Sequence, residues 1–115
     1  MILAVDFDNT ISQANFPRIG PAFPGAIETL IDLQKAGHKI IIWTCRAGST
    51  LKMAIDWLHK NGFTPDAVNE NTYTGHNFGD EIICYPKIFA DYYFDDRSFP
   101  PFPGWAAVRK AFLKG

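Results

Sequence analysis

Cysteine is scarce: the 115-residue chain has two, Cys45 and Cys84. Two cysteines so placed give neither a disulfide framework nor a metal-ligand spacing. A reduced, cytoplasmic setting is the expectation. Charge is also sparse. Only 20% of residues are charged and the net charge is -1, so the chain lacks the broad basic footprint of a nucleic-acid partner. No apolar run approaches the roughly 18 residues of a membrane span, and no membrane partner is expected. The N-terminus has no basic region followed by a signal-type apolar segment. Met1 leads straight into an expected strand, which leaves no room for a targeting segment. The histidines His38, His59 and His76 show neither metal nor triad spacing, and the first two read as helix-end or surface residues. There is no internal repeat and no low-complexity tract.

What is present is a hydrophobic content of 47%, which suits a globular chain. The length suits one domain over residues 1–115, with a core that needs no staples. Residues 2–6 read as a strand, and residues 11–23, broken by Pro17, Gly20 and Pro21, as irregular. Pro24-Gly25 opens a helix with Ile27, Leu30 and Ile31 at helical spacing, closed by Lys35 and Gly37. Residues 38–44 form a second strand whose apolar run implies burial on both faces. A helix from residue 49 or 50 to 60 ends at Asn61-Gly62, and residues 65–69 hold a short strand. Residues 70–86 allow a short hairpin, residues 88–94 lead into another strand, and a helix covers about residues 104–114. Strands alternating with helices imply a parallel sheet with right-handed crossovers, an α/β chain whose strand tips share one edge.

Two aspartates stand out at the tip of the first strand: Asp6 and Asp8, in Val5-Asp6-Phe7-Asp8-Asn9-Thr10. Asp8-Asn9 alone would suit an ordinary turn. A buried strand, however, has no structural need for two carboxylates that lose solvation and repel each other. At the carboxyl edge of a parallel sheet they would meet ligands, and a divalent cation would offset the repulsion. Thr44 ends the second strand and Asp95-Asp96 end a later one, so the fold brings these polar tips together.

Asp6-Phe7-Asp8-Asn9-Thr10 resembles the DxDxT signature of the haloacid dehalogenase superfamily. Thr44, Lys87 and Asp95-Asp96 follow in the order of its remaining motifs, so the resemblance covers roughly residues 1–98. It implies a Rossmann-like, three-layer α/β/α sandwich with a mostly parallel sheet. It also implies a Mg²⁺-dependent phosphohydrolase. Asp6 would be the nucleophile that becomes an aspartyl-phosphate. Asp8 would protonate the leaving oxygen and then deprotonate water. Thr44 would bond a phosphoryl oxygen, and Lys87 would neutralise charge between Asp6 and the phosphate. The metal would sit on Asp6, the Asp8 main-chain carbonyl and Asp95, with Asp96 direct or through water. Asn9 and Thr10 would lie against the substrate.

Arg46 offers a forked contact to phosphate or substrate, or else is a helix-flanking surface arginine. Lys52 is a lesser substitute for Lys87, Asp91 starts a strand, and Cys45 reads as a small packing residue. Asn69, Asn71, Tyr73 and His76 are candidate rim residues. Neither residues 11–23 nor residues 70–86 can bury a core of their own, so no cap domain is expected. The open cleft would admit a large substrate or be covered by a second copy in a homo-oligomer. The expected substrate is a small phosphorylated metabolite. Three other readings compete: a non-catalytic phosphate-binding domain, a response-regulator receiver and a polynucleotide-end phosphatase. Retention of both Asp6 and Asp8 weighs against the first, the late position of Asp95-Asp96 against the second, and near-neutral charge against the third.

Overall fold

A computed structural model describes residues 1–70, 72, 77–78, 81–82 and 88–113. In chain order the elements are β1 (Ile2–Val5), β2 (Ser12–Asn15), β3 (Arg18–Ala22), α1 (Ala26–Lys35), β4 (Lys39–Ile42), α2 (Gly48–Lys60), β5 (Ala67–Val68), β6 (Asn77–Phe78), β7 (Glu81–Ile82), β8 (Tyr92–Phe94) and α3 (Trp105–Phe112). β1, β4, β5 and β8 make a four-stranded parallel sheet in the order β5-β4-β1-β8. β1 therefore runs down the middle, which explains an apolar sequence with no polar face.

The register sets the functional edge. Val5 lies opposite both Ile42 and Phe94, so the chain passes from strand to loop at one level in three neighbouring strands. The ladder runs one residue further. The Asp6 N–H donates to the Phe94 carbonyl at 2.9 Å, Trp43 to Val5 at 2.9 Å, and Asn69 to Ile42 at 2.8 Å. These bonds fix the backbone of the first residue beyond each tip.

Side chains alternate across the sheet. Leu3, Val5, Ile40 and Ile42 share a buried cluster with Leu30 and Leu33 of α1, Leu58 of α2 and Trp105 and Val108 of α3. Ala4 and Ile41 point the other way, against Ile88. The parallel sheet with packed helices is the expected architecture. Among the described residues all three helices belong to the larger cluster, and the smaller one holds no helical residue.

Glycine stops both long helices as the sequence implied. After α2, Gly62 has a φ of 86°. Its N–H bonds the His59 carbonyl at 3.0 Å, while that of Phe63 bonds Leu58 at 3.0 Å. This is the paired closure of a Schellman motif, with Phe63 and Leu58 both in the core.

Four expectations change. The stretch after the first strand is not irregular: β2 and β3 form an antiparallel hairpin pairing Ala14 with Ile19 and Asn15 with Arg18. Gln13, Ala14 and Asn15 are exposed, so the hairpin has no apolar alternation to announce it. The last strand holds only residues 92–94, and just before it the Asp91 carboxylate accepts the Ile2 N–H at 2.6 Å. The helix near the end spans Trp105–Phe112. Cys45 is exposed rather than packed, since the chain leaves the sheet after Ile42. The expected hairpin within residues 70–86 is present as the antiparallel pair β6 and β7. Lys87, Asn71, Tyr73, His76 and Cys84 lie outside the described residues. No helix among the described residues is long and apolar enough to cross a membrane.

Candidate active site

Asp6 follows β1 and Asp95 and Asp96 follow β8, so parallel pairing brings three carboxylates to one place. An oxygen from each lies within 4.8 Å of the others. Burial, the hydrogen-bonded contact with Asp96 and the charge of Asp95 push Asp6 up to about 7. The Thr10 hydroxyl, donating to Asp6 Oδ2 at 3.1 Å, works against that rise. Burial also acts to raise Asp96. It is outweighed by the Asn9 amide at 3.1 Å, by the hydrogen-bonded contacts with Asp6 and Asp95 and by the charge of Arg97, which hold Asp96 below the usual carboxylate range. The two directions describe a pair that cannot easily carry two charges, with the proton on Asp6. An all-oxygen, partly buried cluster of this kind could hold a hard divalent cation such as Mg²⁺.

The loop after β1 is tightly wound. The Phe7 carbonyl accepts the N–H groups of Thr10, Ile11 and Ser12, and Asn9 has a φ of 63°, a conformation Asn tolerates better than most residues. Thr10 is buried, and its carbonyl accepts the Trp105 indole N–H at 2.8 Å. Asn9 and Thr10 thus both bond site carboxylates. Beside them a cleft of about 530 Å³ opens between Asp96, Phe23, Phe102 and Trp105.

Asp8 does not join the three-carboxylate cluster. Its two oxygens accept the fork of Arg46, from Nε at 2.8 Å and Nη2 at 2.8 Å. The Arg46 side chain is only 1% exposed and that of Asp8 26%. Arg46 Nη1 donates to the carbonyls of Pro17 at 3.0 Å and Thr50 at 3.2 Å, and Nη2 to that of Arg18 at 2.9 Å. A guanidinium has five N–H groups, and each is engaged. Of the two sequence readings of Arg46, neither a surface residue nor a free fork for phosphate describes this arrangement. The charge was legible, but the hairpin carbonyls that absorb it were not.

Thr44 lies two residues past β4. Asn69, with a φ of 52°, pins it by accepting its N–H at 2.8 Å and donating to its carbonyl at 2.9 Å. The Thr44 hydroxyl accepts the Arg46 N–H at 3.1 Å, and the sequence had placed Asn69 only on the rim. Lys52 pairs with Asp56 on the exposed side of α2 at 2.9 Å, away from the cluster. Sequence reasoning also missed Trp105, whose only signal was its place in an apolar stripe.

The chain matches no family model. A protein named "Putative nucleotidase" from Oceanobacillus iheyensis is 29% identical over 77 residues, covering 67% of this chain and 40% of that protein. One of the same name from Bacillus cereus is 34% identical over 76 residues, covering 65% and 39%. The chain thus spans about two fifths of the length of these curated relatives. A solved structure of a conserved protein from Bacteroides thetaiotaomicron superimposes with a TM-score of 0.82 at 36% identity, covering 100% of this chain and 93% of that one. The chain belongs to the same family as that Bacteroides protein.

Proposed function

We propose that this chain is a phosphohydrolase of the haloacid dehalogenase type, cleaving small phosphate monoesters through an aspartyl-phosphate on Asp6. The observation that carries the reading is the convergence of Asp6, Asp95 and Asp96 at the carboxyl edge of the sheet, with Thr10 bonded to Asp6. The nucleotidase names of two relatives support phosphate-ester hydrolysis in general terms.

Asp6, Asp95 and Asp96 would hold Mg²⁺, joined by the Asp8 main-chain carbonyl. When bound, the cation neutralises phosphoryl charge and favours ionised Asp6. The freed Asp6 oxygen attacks phosphorus. One P–O bond forms to Asp6 as the bond to the leaving oxygen breaks, and Asp8 supplies that oxygen's proton. Water then attacks the aspartyl-phosphate, gives its proton back to Asp8, and releases phosphate with Asp6 restored. Thr44 would bond a phosphoryl oxygen and Lys87 would balance its charge. We assign no cap to the site, and the cleft beside Asp96 receives substrate directly.

A panel of sugar phosphates, nucleotides, p-nitrophenyl phosphate and nucleic-acid ends, assayed with Mg²⁺ and with chelator, tests this. Mg²⁺-dependent release of phosphate, lost in Asp6→Asn, is expected. Unchanged turnover in Asp6→Asn removes Asp6 as nucleophile, and no release from any ester overturns the reading.

A further inference from the structure

Arg46 has a geometry that simple ion pairing does not require. Its guanidinium lies over two aromatic rings, 5.4 Å from the Phe7 centroid and 5.0 Å from that of Phe16. It bonds three separate parts of the chain: Asp8 after β1, the Pro17 and Arg18 carbonyls at the β2–β3 turn, and the Thr50 carbonyl in the first turn of α2. A planar fork meeting both oxygens of a carboxylate fixes the plane of that carboxylate as well as its position. It occupies two of about four lone-pair sites on Asp8, leaving others to carry a proton.

We propose that Arg46 is the positioning residue for Asp8, and that it locks the β2–β3 hairpin and the proton-transferring carboxylate into one unit. The proposal rests on the phosphohydrolase reading for its catalytic half. Arg46 meets Asp8 only through the carboxylate, and the Asp8 main-chain carbonyl assigned to the metal is not among its acceptors. It acts by holding the Asp8 carboxyl toward the leaving oxygen while the hairpin turn closes over the guanidinium. A lysine at this position would keep the charge but lose the fork, so orientation would suffer more than electrostatics.

The consequence is specific to the leaving group. A p-nitrophenolate departs without help, whereas an alkoxide needs its proton from Asp8. Well-placed general acids contribute about 10²- to 10⁴-fold. In Arg46→Lys and Arg46→Gln, kcat for ethyl phosphate should fall at least about tenfold more than kcat for p-nitrophenyl phosphate, with KM little changed. Equal losses on both esters would overturn the positioning role, because a general loss of fold cannot select between leaving groups. A second readout needs no turnover and serves if the Arg46 variants fail to fold. In Asp8→Asn, amide hydrogen exchange should quicken across residues 12–22 relative to β1 and β4. Unchanged protection there overturns the lock between hairpin and carboxylate. A wild-type protein inert to both esters removes the phosphohydrolase reading and the leaving-group role with it, while the exchange result still decides the lock.

Discussion

Cation binding at the acidic cluster should release a proton, and the amount follows from Asp6. Burial and its carboxylate neighbours raise Asp6 from 3.8 to about 7. At pH 5 only about one Asp6 in a hundred is then ionised. A cation that needs ionised Asp6 must displace that proton, so its apparent affinity should fall about tenfold for each pH unit below 7. Stability without the cation runs the opposite way. An acid held above its unfolded value stabilises the fold fully below about 3.8 and loses that contribution as pH rises through about 7. Between these limits the metal-free protein should lose thermal stability with rising pH, and added Mg²⁺ should recover it. Calorimetric titration of Mg²⁺ at pH 5.5 and 7.5, in buffers of different ionisation enthalpy, reads both affinity and proton release. Asp6→Asn should remove the proton release. Equal affinity at the two pH values, with no proton released, refutes the reasoning, for it would mean that Asp6 is already ionised or stands outside the site.

Two further outcomes test single elements. Asp95→Ala removes one of the three clustered carboxylates and should weaken Mg²⁺ binding and raise the Mg²⁺ needed for half-maximal turnover; unchanged calorimetric affinity would move the ligand role to Asp96. Phe63 is 1% exposed and closes the end of α2 against Leu58, so Phe63→Ala should cost about 3–5 kcal/mol in urea unfolding, and a loss under about 1 kcal/mol would show that this junction repacks freely.

The elements legible in the sequence were those whose packing writes a pattern. Ile40, Ile41 and Ile42 are buried because both faces of β4 are covered, as their unbroken apolar run implied, although Trp43, the next apolar residue, is exposed past the strand's end. Gly37 and Gly62 marked helix ends because they take a positive φ there. The meeting of Asp6 with Asp95 and Asp96 followed from parallel topology alone. The hairpin left no such mark, since most of β2 faces solvent and its strands hold together by backbone bonds. Arg46 could not be placed because its partners lie 38, 29 and 28 residues away and three of its acceptors are carbonyls, which every residue possesses. Asn69 was similarly invisible: its task is to bond the backbone of Thr44 across two strand tips.

The central place of β1 has a consequence for synthesis on the ribosome. β1 emerges before both strands that flank it, residues 39–42 and 92–94, and the loop it carries is bonded to Trp105. A nascent chain can pair β1 with β4 early. It cannot gather Asp6 with Asp95 and Asp96 until residue 96 has left the exit tunnel, and Trp105 must follow before the Thr10 carbonyl is satisfied. The acidic tip of β1 therefore waits, solvated and unmatched, until those residues emerge. Closing the sheet across so long a separation is a late, non-local step. The cluster that would bind a cation is thus assembled only once residue 96 has been made, and a product terminated before it would carry the DxDxT segment without the site.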